Sequence, residues 1–120
     1  MITFQDKYKN NIILLKSFEF AKKVVQYTEK LEEDRKYVIA NQLLKSGTSI
    51  GANIKEAQNS ESKADFIHKM KLALKELRET SINLRMLSKA KMYSDENLVG
   101  EARQLVAIFQ KSIDTAQGGT

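Results

Sequence analysis

Three groups of side chains along this chain could do chemistry. Asp65 and His68 are three residues apart, so a helix would put a carboxylate and an imidazole on one side. Glu56, Glu76 and Glu79 are carboxylates that could act as general acids or bases. Lys71, Lys75, Arg78, Arg85 and Lys89 recur at helical spacing and could meet phosphates. Each group has a plainer reading. His68 is the only histidine, and a di-iron bundle needs Glu-x-x-His on each of two helices plus further carboxylates. One Asp-x-x-His supplies no metal site and reads as an exposed turn near a helix start. The glutamates read as ion-pair partners of neighbours such as Lys75 and Arg78. Gly47 and Gly51 do not make a phosphate loop, because no strand precedes them and no Lys-Ser/Thr follows in the required order. The expectation is a non-enzymatic protein with no cofactor, no metal and no small-molecule substrate.

The basic row depends on one long helix to place it. Ser62 is a candidate N-cap whose hydroxyl can accept from the backbone N–H of Asp65, and Glu61 and Asp65 put negative charge where the helix dipole favours it. Gln58-Asn59-Ser60 is a polar stop before that turn. From Lys63, Phe66, Met70, Ala73, Leu77, Leu84 and Leu87 recur at spacings of three, four and seven. Ile67, Leu74 and Ser81 widen the stripe along one edge. At about 100° per residue, the five cations fall on the opposite side within an arc of roughly 80°, with Ile82 among them. Such a ridge is either a solvated face or a polyanion-facing surface. Ile67, Leu74, Ile82 and Met86 lie outside the central stripe, and apolar area on that scale points to a partner surface.

The preceding helix is built from smaller residues. Val38, Ile39, Leu43, Ser46, Ile50, Asn53, Ile54 and Ala57 follow a core period, interspersed with Gly47, Thr48, Ser49, Gly51 and Ala52. Gly47, Ser49, Gly51 and Asn53 are the candidate packing motif. The two glycines are four apart and share a face, where the lack of side chains lets another helix approach. A break at Gly47 is the alternative, but the period keeps phase across it, which favours one helix. Asn53 reads as a hydrogen-bonded core amide or a register-setting residue, with a ligand contact as the other possibility.

The run Ser46-Gly47-Thr48-Ser49-Ile50-Gly51-Ala52-Asn53-Ile54-x-Glu56-Ala57 is followed by Ser62-x-x-Asp65-Phe66-x-x-Lys69 and Ala73-Leu74-Lys75-Glu76-x-x-Glu79-Thr80. With Lys16-Ser17-Phe18-x-Phe20-Ala21 upstream, this order resembles the four helix bundle protein family. That family is related to the intervening-sequence proteins encoded within bacterial large-subunit ribosomal RNA genes. It is also similar to the accessory protein of diversity-generating retroelements. The likeness runs from Asn11 to Phe109. Where family members carry aromatic residues after the Glu-Thr pair, this chain has Ser81-Ile82-Asn83, which argues against stacking there. The resemblance implies an all-α, antiparallel up-down four-helix bundle, assembly as a ring-like homopentamer, and association with RNA or DNA.

Composition fits those expectations. A chain of 120 residues and 13.7 kDa, 42% hydrophobic, makes one domain over 1–120, with mobile ends expected at 1–10 and 117–120. Proline and cysteine are both absent, so helices run without breakers and neither disulfides nor thiolate metal sites can form. No apolar run approaches the ~20 residues of a membrane span, and no secretory leader of the usual form begins the chain, so a cytoplasmic location is expected. The net charge of +5 is uneven: residues 35–60 carry +3, residues 61–93 carry +4, residues 94–120 carry −2, and the first 34 residues are neutral. The excess sits on the two central helices, and phosphate binding depends on such local charge. A protein-interaction scaffold with no nucleic-acid role is the competing function.

In chain order, Ile12 to Leu15 could begin the first helix or form an extended arm, and Ser17 is a candidate N-cap. The helical pattern is clear from Phe18 to Leu31. Glu32-Glu33-Asp34 reads as a connection that supplies negative charge to the next helix. Tyr93-Ser94-Asp95 should end the third helix and cap the fourth, whose stripe is Leu98, Ala102, Leu105, Val106, Phe109 and Ile113.

Overall fold

The computed structural model describes residues 12–118. They form α1 (Ile12–Glu33), α2 (Tyr37–Gln58), α3 (Lys63–Lys89) and α4 (Glu96–Gly118), with no strand among them. Residues 1–10 and 119–120, expected to be mobile, lie outside this range. Gln117 and Gly118, expected in the same tail, instead close α4. Each helix packs on its neighbour in sequence, and α4 returns to α1 through the thinnest seam. Three short connections make the order up-down and antiparallel. The result is an all-α four-helix bundle, a rod of 52 × 21 × 19 Å.

The core is the inner stripe of each helix. Phe20, Val24 and Leu31 come from α1, Leu43, Ile50 and Ile54 from α2, Met70 and Leu77 from α3, and Phe109 from α4. Burying each large side chain fully contributes about 1.5–3 kcal/mol relative to exposure. Ile12 to Leu15 are helical, so Ser17 is inside α1 rather than capping it. Its hydroxyl donates to the Ile13 carbonyl at 2.7 Å. Val38, expected in the core, is 76% exposed because the inward position at that level belongs to Ala40. Leu74, expected outside the central stripe, is buried.

The helix ends show where local chemistry decides. Ser62 accepts from the Asp65 N–H at 3.0 Å, and Asp95 accepts from the Leu98 N–H at 3.0 Å, so both expected caps form. By contrast, α2 begins behind Lys36 with no side-chain cap and no acidic residue in its first turn. Asp34 does not serve α2; its carboxylate accepts from the Tyr93 hydroxyl at 2.6 Å. α1 ends in a Schellman motif, with Lys36 N–H on the Leu31 carbonyl at 2.8 Å and Arg35 left-handed at φ 61. α3 ends the same way, with Met92 N–H on the Leu87 carbonyl at 2.9 Å and Lys91 at φ 58. It therefore stops at Lys89, before the expected Met92. The Tyr27 hydroxyl donates to the Tyr93 carbonyl at 2.6 Å and so fastens the α3–α4 turn to α1. Burial, with smaller contributions from Asp95 and Tyr93, pushes the Tyr27 phenol up to about 12.

The closest approach is between α1 and α2. A Cβ added at Gly47 would lie 3.1 Å from Val24 Cγ1 and 3.5 Å from the Ala21 carbonyl oxygen. A Cβ on Gly51 would meet Phe18 at 3.7 Å. α2 runs unbroken past both glycines. On its α3 side, buried Ser46 accepts from the Thr80 hydroxyl at 2.8 Å and donates to the Leu43 carbonyl at 3.2 Å. That contact satisfies two polar groups that burial would otherwise penalise. Asn53 is half-buried, and its amide donates to the Ser49 carbonyl of its own helix at 2.9 Å, as a hydrogen-bonded amide.

Candidate nucleic-acid interface

Lys71, Lys75, Arg78, Arg85 and Lys89 are all exposed on α3. The helix places them because its buried residues, from Phe66 through Leu84, hold the opposite face in the core. Between Lys71 and Lys89 the row covers about 27 Å, at roughly 1.5 Å per residue. Lys71, Lys75 and Arg78 border a groove between α3 and α4 of about 540 Å³, floored by Leu74, Ile82 and Ile113. Arg78 is the one ridge cation with a described tie to another helix. Its Nη2 donates to Gln110 Oε1 at 2.6 Å, and Gln110 Nε2 donates to Asp114 Oδ1 at 2.9 Å.

Three lysines off the ridge are paired with glutamates. Lys23 meets Glu101 at 2.8 Å, Lys69 meets Glu56 at 2.7 Å, and Lys22 meets Glu19 at 3.4 Å. Both Lys23 and Lys69 are held more firmly protonated by these carboxylates. Among the described residues, none of the five ridge cations lies within 4.0 Å of a carboxylate oxygen. The expected pairing of Glu76 and Glu79 with Lys75 and Arg78 therefore does not form at salt-bridge distance. Glu56 pairs with Lys69 instead. Glu76 is half-buried, and burial first, then the charge of Glu79, raises its carboxyl above the usual range, against the pull of Lys75 and Lys45.

The remaining candidates stay apart from this surface. His68 is exposed near the start of α3, and no cluster of three or more potential metal ligands occurs among the described residues. Gly47 and Gly51 are buried against α1, Ser49 is half-buried, and none of these belongs to the ridge. Sequence reasoning missed Gln110. An isolated glutamine on an exposed helical face carries no signal until α3 and α4 are set side by side. No helix is long and apolar enough to cross a membrane among the described residues.

Fold and surface together define a class: a small all-α four-helix bundle with a row of exposed cations along α3. The chain belongs to the 23S rRNA-intervening sequence protein family, whose model matches residues 9–114. A solved structure from Bacteroides thetaiotaomicron VPI-5482, a protein of unknown function from the S23 ribosomal protein family, is similar to it. The two are 37% identical with a TM-score of 0.76, over 89% of this chain and 99% of that one. No curated protein matches the chain.

Proposed function

We propose that this protein is a non-enzymatic, self-associating helical bundle that binds RNA or DNA through the α3 ridge. The observation that carries this reading is the row itself: five exposed cations on one face of α3, none within 4.0 Å of a carboxylate oxygen among the described residues. A row of uncompensated cations attracts condensed phosphates and releases their counterions. Filter retention of mixed RNA and DNA tests it. With five phosphates neutralised, raising salt from about 50 to about 200 mM should weaken binding roughly 500-fold on a duplex and roughly 130-fold on single strands. Salt-independent retention, or none, removes the nucleic-acid role.

Self-association is supported by apolar side chains left outside the bundle. Ile82 and Met86 on α3 are 53% and 55% exposed, and Leu15 and Ile108 flank the thin α1–α4 seam. The same side chains favour the competing reading, a scaffold for another protein. Sedimentation at micromolar concentration should show an oligomer; a single species at 13.7 kDa would exclude self-association.

A further inference from the structure

We propose that the α3 ridge grips the phosphate backbone of a duplex and discriminates against single strands. This rests on the nucleic-acid reading above and narrows its ligand. The first observation is what stands beside the cations. α3 contains two aromatic rings, buried Phe66 and exposed His68 one turn before Lys71, and α4 contains one, buried Phe109. The groove along the ridge offers aliphatic Leu74, Ile82 and Ile113 and the amides of Gln110 and Gln117, but no ring. Proteins that hold single strands stack successive bases on aromatic side chains along a basic groove. This surface has the charge but, apart from His68 at one end, lacks a succession of such platforms.

The second observation is geometric. The five cations are mounted on one continuous helix packed into the bundle, so their spacing is fixed before the ligand arrives. Their span of about 27 Å corresponds to roughly eight base pairs at about 3.4 Å each. A duplex holds its axis straight over that length, because its persistence length is about 150 base pairs, and presents phosphates of both winding backbones at set positions along the row. A single strand must be ordered to hold its phosphates along the row, and a lone His68 offers little stacking to offset the lost freedom. The third observation is Arg78, whose guanidinium is held by Gln110, itself held by Asp114. A cation fixed in direction suits a ligand whose phosphates already occupy set positions. Gln110 is a positioning residue in this arrangement. The ridge itself carries only Lys and Arg, which contact phosphates regardless of sequence.

Competition against a labelled duplex of about 20 base pairs, with the full chain at about 50 mM salt, tests this. The unlabelled competitors are the same duplex and each of its strands, in DNA and in RNA arms. The duplex should compete at least tenfold better than its strands in one arm or both, and the arms show which helix form fits. In Gln110→Ala, duplex affinity should fall a fewfold while single-strand affinity stays constant. Single strands that compete as well as the duplex in both arms would overturn the duplex preference and leave the ridge reading standing. Absence of binding to every form would overturn both.

Discussion

Replacing Lys71, Lys75 and Arg78 together by Glu should lower nucleic-acid affinity on the order of 100-fold or more at low salt. Three attractive contacts become three repulsive ones on a row whose remaining cations are Arg85 and Lys89. All three side chains are exposed, so the bundle should survive. Surface changes of this kind cost within about 0.5 kcal/mol each, with about 1 kcal/mol more for the lost Arg78–Gln110 hydrogen bond. Filter binding reads the affinity, and circular dichroism with a thermal melt reads the fold. A folded triple variant that binds as the parent does would locate the interface elsewhere. Loss of binding with loss of structure would be separated by Lys71→Glu with Lys75→Glu alone, since neither of these lysines has a described partner that folding needs.

Gly47→Leu should cost roughly 3 kcal/mol of stability, at the upper end for overpacking. The contact leaves little choice: even a Cβ would sit 3.1 Å from Val24 Cγ1 and close to backbone at Ala21. The melting temperature should fall by roughly 10–15 °C on that basis. Two other glycines calibrate the result. At Gly51 a Cβ would make ordinary contact with Phe18, and at Gly100 it would meet nothing within 4 Å. Gly51→Ala and Gly100→Ala should each stabilise by up to about 1 kcal/mol through helix propensity. If Gly47→Leu melts with the parent, α1 and α2 do not meet at this point.

The architecture was legible wherever a period or a cap carries it. Phe66, Met70, Ala73, Leu77 and Leu84 marked the buried face of α3, and its opposite face followed from geometry alone. Ser62 and Asp95 marked two helix starts through their side-chain oxygens. Two helix ends were harder to read, because their left-handed positions hold Arg35 and Lys91 instead of the usual glycine. Val38 misled because apolar residues beside a helix start satisfy the period without reaching the core. The candidate site was readable as a row of charges, but its pairing was not. Which glutamate answers which lysine depends on neighbouring helices: Glu56 reaches Lys69 from α2, and Glu101 reaches Lys23 from α4. Gln110 likewise acquires meaning only across the α3–α4 groove. The turn built on Tyr27, Tyr93 and Asp34 joins residues far apart in sequence, and no spacing rule points to it.

The salt dependence of duplex binding bears most directly on whether the ridge meets phosphates. Plotting log K against log salt for the parent protein should give a slope near −4.5, about −0.9 for each of five cations. The Lys71, Lys75 and Arg78 reversals should flatten it toward the roughly −1.8 left by Arg85 and Lys89. A parent slope near zero, or one unchanged by the reversals, would contradict a phosphate-binding role for this edge of α3.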